Sequence, residues 1–473
     1  MASSVVGFAI LAQSLAAHPG TRALPPPPDS INAYIAAEMS RQRIPGLSLA
    51  ILRGDSVMLA RGYGFANVEL RVPASDSTIY QSGSVGKQFT AAMVVMLSQQ
   101  GRFRLDDPVT RWLPEGAGVW DSITVRHLLT HTSGVGEYTD STFDYRKDYT
   151  EDQLVRFAAS RPLDFPPGAR WSYSNTGYLL LGVLVHRVTG RFYGDVLRDL
   201  IFRPLGMGSV RIISEADIVP NRAAGYELVK GQLKNQEWVA PSLNTTADGS
   251  LYLSLNDMIP WAVSLNQGRI PDSTVLRAAW QPVRLKDGGL FPYGFGWDLT
   301  DQRGHRRIGH TGAWQGFKTA IHRYPEYQLT VIVLANLASA ETGSLAEGVA
   351  GIVEPDLRPP PRFTAALPGP RPPQGADRIL QQLAGGRDAE LVTPGLHRFL
   401  SPAVRTELGQ LLKQAPSWTS LGCDVVSRRK MVWLGAPIER ACYSRGIGPA
   451  EQVIVTTYYT RDWKVAHLNT NRY

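Results

Sequence analysis

Apolar residues follow two different patterns between residues 30 and 62, one helical and one typical of strands. Over residues 30–43 the period is helical and stops before Pro45-Gly46, which predicts a helix that ends there. The next apolar runs, residues 47–53 and 57–62, flank Gly54-Asp55. Short β-rich runs on either side of such a turn predict a hairpin of two buried strands.

Two more β-rich runs lie much further along the chain. Residues 317–323 and 328–336 are joined by a Tyr-Pro-Glu-Tyr turn and predict a second hairpin. The long region between the two hairpins is mainly helical in pattern. Strands at both ends with helices between them predict an α+β fold, in which one antiparallel sheet packs against a helical lobe.

A proline-rich stretch divides the chain near residue 360. Residues 358–375 contain seven prolines in eighteen positions, which predicts a stiff, extended linker. Beyond it the patterns predict a small α+β accessory domain, with helices at residues 376–384 and 404–413 and strands near residues 423–426, 440–443, 452–459 and 463–467. The predicted division is a signal peptide and lead-in (1–25), a main domain (26–357), the linker (358–375) and the accessory domain (376–473).

The N-terminus predicts export. Residues 5–17 form a short apolar segment that ends in small residues, as in a signal peptide, although no Lys or Arg precedes it. We therefore expect a periplasmic or secreted protein. No run of eighteen apolar residues occurs, so no transmembrane helix is predicted. The net charge of +8 comes from basic residues spread along the chain, which argues against nucleic acid as a partner.

A Ser-x-x-Lys motif at Ser84 and Lys87 is the first candidate for chemistry. Phe89, Met93 and Leu97 fall on one face of a helix, which places Ser84 in its first turn and Lys87 one turn later on the same side. A serine hydroxyl is a poor nucleophile until a base takes its proton, and a buried lysine with a lowered pKa can be that base. The motif by itself also occurs by chance in proteins of this length.

A second motif, Tyr173-Ser174-Asn175, precedes an apolar helix. It offers a phenol for proton transfer and an amide for hydrogen bonding to a substrate. The alternative is purely structural: Ser174 or Asn175 would cap the next helix, and Tyr173 would be an ordinary packed aromatic residue.

The third motif, His310-Thr311-Gly312, comes just before the predicted strand at residues 317–323. Gly312 would let a substrate backbone approach a strand edge, and the Ala313 amide would be an oxyanion donor opposite the Ser84 amide. Alternatively, the glycines of this segment only form a turn.

The order Ser-x-x-Lys, Tyr-x-Asn, His-Thr-Gly resembles that of the class C β-lactamases, DD-peptidases and related esterases, which together form a serine β-lactamase-like and penicillin-binding-protein family. The segments at residues 123–134 and 309–316 also resemble this family, and the resemblance covers roughly residues 30–350. It implies a β-lactamase/transpeptidase-like antiparallel sheet packed against a helical lobe, with residues 26–357 as the catalytic domain.

The resemblance implies a serine hydrolase that works through an acyl-enzyme. Ser84 would be the nucleophile, with Lys87 and Tyr173 sharing the proton transfers. The residues that would bind the substrate are Asn175, His310, Thr311, Gly312 and Ala313. No cofactor and no metal are implied, because His127 and His131 have the spacing of a metal pair but lack a third ligand.

His310 departs from the class C β-lactamases, which resemble each other in placing a lysine there. A histidine is mostly neutral at pH 7 and supplies no fixed cation for a β-lactam carboxylate. His-Thr-Gly instead resembles DD-peptidases, D-amino-acid peptidases and esterases. We therefore expect a small-molecule or peptide substrate. The preferred class is D-amino-acid peptides, with cell-wall peptide as one candidate, and esters are the other class. The alternatives are a class C-type β-lactamase and a catalytically silent penicillin-binding or sensor protein.

Cys423 and Cys442 both lie in strand-like runs of the predicted accessory domain. Their spacing lets them face each other across a pair of strands, and export would place them in an oxidising compartment. We expect a disulfide, with two buried free thiols as the alternative.

Overall fold

The computed structural model describes residues 28–138, 143–212, 217–358, 375–388, 390–400, 402–425, 432–433, 436–448 and 452–472. The predicted signal peptide and most of the predicted linker lie outside these residues. No helix of the described ranges has the length and apolar character needed to cross a membrane.

The main domain combines helices with one large sheet. Its α-helices are α1 (Pro28–Gln42), α2 (Lys87–Gln99), α3 (Val125–Leu129), α4 (Glu151–Ala159), α5 (Asn175–Thr189), α6 (Tyr193–Leu197), α7 (Leu255–Gln267), α8 (Ser273–Ala279) and α9 (Thr342–Val353). Its strands are β1 (Gly46–Arg53), β2 (Ser56–Asn67), β3 (Val72–Pro73), β4 (Tyr80–Gln81), β5 (Tyr226–Val229), β6 (Gln232–Asn235), β7 (Tyr252–Leu253), β8 (Val283–Arg284), β9 (Leu290–Phe291), β10 (Asp298–Gln302), β11 (His305–Trp314), β12 (Phe317–Tyr324) and β13 (Leu329–Ala335).

The large sheet has the strand order β10-β11-β12-β13-β1-β2-β3, and its neighbouring strands are antiparallel. The prediction of one antiparallel sheet built from both ends of the main domain is therefore confirmed.

The turn suggested as the alternative for the third motif is wrong. Gly309 and Gly312 lie inside β11 and pair with His322 and Thr319 of β12.

Both faces of this sheet are buried, which explains why its central strands β1 and β13 are mostly apolar on both faces. Successive side chains of a strand point to opposite faces. In β13, Val331 and Val333 pack into a core shared with α1 and α9, whereas Ile332 and Leu334 pack into the core of the helical lobe. The sheet therefore forms the middle layer between two helical layers.

The residues after the linker form a smaller sheet covered by helices. The helices are α10 (Ala376–Ala384), α11 (Pro394–Phe399) and α12 (Pro402–Gln414), and the strands are β14 (Ser417–Val425), β15 (Val432–Trp433), β16 (Ala436–Pro437), β17 (Arg440–Ile447), β18 (Gln452–Tyr459) and β19 (Val465–Arg472). The sheet has the order β14-β17-β18-β19. Cys423 and Cys442 lie directly opposite each other on β14 and β17, and a disulfide joins them.

The predicted helices of this region agree with α10 and α12, but α11 has no counterpart among the predictions. The predicted strand at residues 463–467 begins at Val465 and continues to Arg472. Polar residues such as Asn469 and Thr470 give its second half little apolar signal, while its backbone is held by pairing with β18.

The accessory domain contacts the end of the large sheet. Between β10 and β11, Arg303 forms an ion pair with Asp424, with an N–O distance of 3.0 Å. The Tyr458 hydroxyl donates a hydrogen bond of 2.9 Å to the buried carboxylate of Asp301. Burial raises the pKa of Asp301 to about 6, although the hydrogen bond from Tyr458 opposes this shift.

We predict that Tyr458→Phe destabilises the protein in a pH-dependent manner. The pKa of Asp301 is above its unfolded value, so its protonation stabilises the fold at low pH and this contribution is lost as pH rises through about 6. Above that pH the buried Asp301 carboxylate is charged, and the hydrogen bond from the Tyr458 hydroxyl stabilises this charge. The variant should lose about 1–3 kcal/mol at pH 8 and less at pH 5, measured by urea unfolding.

Tyr443→Phe is the matched control. Its hydroxyl donates to Asp424, which Arg303 already pairs. Its loss of stability should be smaller and equal at the two pH values. An equal loss at pH 5 and pH 8 for Tyr458→Phe would contradict the assignment of the pH dependence to Asp301.

Candidate active site

Ser84 lies in a 3₁₀ turn, Gly83–Gly86, that leads directly into α2. Phe89 and Met93 of α2 are fully buried and anchor the helix in the core of the helical lobe. Ser84 is the residue of the turn that remains partly exposed. The predicted position in a first helical turn is thus a separate, tighter turn, which presents the serine hydroxyl to a cavity.

Lys87 lies fully buried behind Ser84. Its Nζ donates hydrogen bonds to Ser84 Oγ at 3.1 Å, to Asn175 Oδ1 at 2.7 Å and to the carbonyl oxygen of Asp248. Burial lowers the pKa of Lys87 to about 8, and the negative charges of Asp248 and Glu137 limit the shift. With a pKa near 8, roughly a tenth of the molecules hold a neutral lysine at pH 7.

Asn175 is the first residue of α5, whose N-cap is Ser174. The Asn175 backbone N–H and its Nδ2 both donate to the carboxylate of Glu137. This orients the amide so that its oxygen faces Lys87. Burial raises the pKa of Glu137, and the hydrogen bonds from Asn175 oppose the shift. Glu137 belongs to no motif, so the sequence did not indicate it.

Tyr173 stands on the loop before α5, with its ring centroid 5.0 Å from Lys87 Nζ. Burial raises the pKa of its phenol well above the usual range, and the nearby Ser84 side chain opposes the shift. Within the described residues, the buried hydroxyl has no hydrogen-bond partner of normal geometry. It is therefore a neutral phenol at physiological pH, available to a ligand.

His131 packs against the Tyr173 ring. Its ring packs on Tyr173 with centroids 4.4 Å apart, and its Nδ1 accepts a hydrogen bond of 3.1 Å from the Ser174 backbone. His127, four residues earlier, accepts instead from the Thr124 backbone as part of a helix cap. The two histidines therefore serve different local structures.

His310 is buried and uses both ring nitrogens. Its Nδ1 lies 2.6 Å from the Thr311 carbonyl oxygen, to which it must donate, so its Nε2 accepts from the Tyr293 hydroxyl at 3.0 Å. Burial lowers the pKa of His310 below the ordinary value of a histidine, so the ring is neutral at pH 7. Tyr293 is a second site residue that the motifs did not indicate.

The free edge of β11 lies beside the candidate nucleophile, Ser84. The first residue of β10 pairs with Gly309, so residues 310–314 have no β-strand neighbour on that side within the described structure. A Cβ on Gly83 would come within 2.4 Å of the Ala313 nitrogen. This close approach brings the amides of Ser84 and Ala313 to the same mouth of the cavity, where both can face one carbonyl oxygen.

Gly312 has a different role from the one expected. A Cβ at this position would lie 2.1 Å from the Ser82 carbonyl oxygen and 2.3 Å from Thr319 Oγ1. Its missing side chain therefore makes room for the turn that carries Ser84.

A cavity of about 600 Å³ opens in front of these residues. Six of the eight predicted site residues line it: Ser84, Tyr173, His310, Thr311, Gly312 and Ala313. The remaining two, Lys87 and Asn175, form the hydrogen-bonded layer behind Ser84. The structure therefore brings all eight together, although they come from three distant parts of the chain.

A serine paired with a buried lysine beside the free edge of an antiparallel sheet defines an acyl-transferring serine hydrolase. A protein-family model described as Beta-lactamase matches residues 31–351, more than half of the chain. The chain therefore belongs to the Beta-lactamase family and is a serine hydrolase of the DD-peptidase-like type.

Two curated relatives illustrate the similarity. Penicillin-binding protein 4* of Bacillus subtilis is 30% identical over 308 residues, which cover 62% of this chain and 68% of that protein. A D-aminopeptidase of Gluconobacter oxydans is 29% identical over 416 residues, which cover 84% of this chain and 77% of that protein.

Solved structures agree with the fold. D-amino acid amidase from Ochrobactrum anthropi SV3 superposes with a TM-score of 0.60 at 25% identity, covering 69% of this chain and 97% of its own. An octameric penicillin-binding protein homologue from Pyrococcus abyssi has a TM-score of 0.62 at 22% identity and covers 92% of this chain and 94% of its own. The second likeness concerns the fold alone.

We predict that Gly312→Ala disables the site. The added Cβ meets backbone at Ser82, so the turn that carries Ser84 must shift. The rate of labelling by a fluorophosphonate should fall at least about 100-fold, because misplacing a reacting atom by about 1 Å has an effect of that size. Gly343→Ala changes the same cavity, but the closest neighbour of its added Cβ is the Thr311 methyl group at 3.2 Å, so this variant should lose much less. Equal losses in the two variants would contradict the packing role of Gly312.

Proposed function

We propose that this enzyme hydrolyses D-amino-acid peptides, amides or esters through an acyl-enzyme at Ser84. The observation that carries the proposal is the placement of a fully buried Lys87, with a lowered pKa, 3.1 Å from the Ser84 hydroxyl. A neutral Lys87 takes the Ser84 proton as Oγ attacks the substrate carbonyl. The amides of Ser84 and Ala313 stabilise the oxyanion.

Tyr173 serves as the proton donor in this mechanism. The pKa of its phenol is raised, so it holds its proton at neutral pH, whereas the pKa of Lys87 is lowered, so it can lose one. The phenol gives its proton to the leaving group and Lys87 resupplies it. Water then attacks the acyl-enzyme, with the same groups acting in reverse. Asn175 orients the substrate amide while Glu137 holds Asn175 in place.

Support for D-amino-acid substrates comes from the relatives, which include a D-aminopeptidase and a D-amino acid amidase. The neutral His310 provides no cation for a β-lactam carboxylate. Efficient β-lactam hydrolysis therefore has less support than reaction with esters and D-amino-acid derivatives.

We also propose that the enzyme works outside the cytoplasm, in the periplasm or as a secreted protein. The apolar segment at residues 5–17 supports export. The Cys423–Cys442 disulfide also supports it, since such bonds persist in oxidising compartments.

We predict that acylation of Ser84 accelerates as pH rises through about 8, the pKa of Lys87, and levels off above it. Lys87→Arg should abolish this rise, because arginine keeps its proton and cannot act as a base. Stopped-flow acylation by a p-nitrophenyl ester measures both profiles.

Ser84→Ala should lose on the order of a million-fold in turnover. A Ser84→Ala protein that keeps most of its fluorophosphonate labelling would show that another serine reacts.

We predict a preference for D over L substrates. Alanine p-nitroanilide of each configuration, a p-nitrophenyl ester and nitrocefin form one panel for kcat/KM. The D-anilide and the ester should exceed both the L-anilide and nitrocefin by roughly tenfold or more, a difference of about 1.4 kcal/mol in activation free energy. Faster hydrolysis of nitrocefin than of every other substrate would favour the β-lactamase alternative.

A further inference from the structure

Five charged residues line the active-site cavity, on β10, β11, β12 and around the start of α9. They are Asp298, Arg307, Lys318, Glu341 and Glu347. Arg307 pairs with Glu347, and Glu341 pairs with Arg41 at 2.9 Å. Within the described residues, the side chains of Asp298 and Lys318 form no hydrogen bond and no ion pair within 4 Å, although the Asp298 charge also acts on the buried Arg307. Both side chains are half-buried, and both residues line the cavity.

The two unpaired charges lie at different ends of the cavity. Asp298 begins β10 and pairs in register with Gly309, next to His310. Lys318 pairs with Ala313, four residues further along β11. Strand geometry separates the two ends by about 13 Å along the strand. Asp298 is therefore the unpaired charge at the His310 end.

The Asp298 charge acts on Tyr173, the proposed proton donor to the leaving group, and on its neighbours. It opposes the lowering of the His310 pKa that burial causes, and it adds to the effect of burial in raising the pKa of Tyr173 and Tyr293. By the register of the ladder, its side chain shares a sheet face with Thr311, which also lines the cavity. In the mechanism above, Tyr173 protonates the leaving group. Asp298 therefore lies on the leaving-group side of the cleaved bond.

From this placement we infer a leaving-group subsite in which Asp298 accepts a positively charged group and repels a carboxylate. The inference rests on the proposed function, which supplies the direction of the substrate. It makes Asp298 a specificity-determining residue and not a catalytic one. The preferred leaving group carries an amine or basic group close to the cleaved bond, and a free C-terminal carboxylate is disfavoured. Carboxypeptidase action on an ordinary peptide end is then the weaker activity.

A matched set of three substrates tests this subsite. Each carries the same N-acetyl-D-alanyl group, amide-linked to glycine, to glycinamide or to 2-(trimethylammonio)ethylamine, so that the leaving groups are anionic, neutral and cationic. The wild type should rank them cationic, neutral, anionic in kcat/KM, with the extremes differing on the order of tenfold or more. Raising the salt concentration should shrink the difference, because it screens a charge interaction.

Asp298→Asn should reduce the ratio of cationic to anionic kcat/KM at least about tenfold, since it removes the charge and keeps the shape. Glu341→Gln is the control: it removes another carboxylate of the same cavity, one that Arg41 already pairs, and should keep the wild-type order. A ratio unchanged in Asp298→Asn overturns the inference. A second result would also overturn the inference: the wild type prefers the anionic substrate, and this preference disappears in Lys318→Gln. The leaving group would then bind beside Lys318.

A wrong assignment of the Asp298 subsite can be distinguished from a wrong proposed function, because the first changes the ratio of cationic to anionic kcat/KM and the second changes the overall activity. If none of the three amides is cleaved, cleavage of N-acetylated D-alanyl peptides is excluded, and the D-alanine anilide of the substrate panel, which has a free amino group, still tests the proposed function. The same acyl group on glycolate, glycolamide and choline esters then reports on Asp298, because the ester bond needs less activation. Equal rates on the three esters, in wild type and in Asp298→Asn, would overturn the subsite whatever the natural substrate is.

Discussion

The site depends on one buried ammonium group. Lys87 has three N–H donors, and three acceptors from separate parts of the chain meet them: Ser84 Oγ, Asn175 Oδ1 and the Asp248 carbonyl. A buried cation without such partners would be strongly destabilising. The turn before α2, the start of α5 and the segment around Asp248 must therefore converge on one point. When Lys87 is neutral, its lone pair faces the nucleophile, so the same packing that buries the lysine also prepares it as a base.

A second constraint is the close contact between the nucleophile turn and the sheet edge. Gly83 and Gly312 stand where backbone meets backbone, and a Cβ on either would overlap its neighbour. Interiors at this density transmit small displacements. The separation between the Ser84 and Ala313 amides is thus set by packing in the main sheet, which is buried on both faces and resists deformation.

The accessory domain reaches toward the site through aromatic side chains. Phe291, at the end of β9, packs against the apolar core of the accessory domain and stacks on Trp171 with centroids 4.0 Å apart. Two residues later, Tyr293 holds His310. A short chain of contacts therefore joins the accessory domain to the wall of the cavity. It makes that domain part of the support of the site, although none of the described residues that line the cavity belongs to it.

The sequence by itself determined which motif residues are the candidates for nucleophile, base and substrate binding, because each motif is short and its spacing is local. It also predicted the two-ended sheet, since β-rich runs lie at both ends of the main domain with helical patterns between them. Only the tertiary structure showed that Glu137, Tyr293 and Asp298 lie at the site. Each meets residues of another structural element, and a single carboxylate or phenol in a loop or at a strand end carries no periodic signal. The same reason explains why the motif at His310 proved to be a strand edge rather than a turn: pairing with β12, more than local preference, set its conformation.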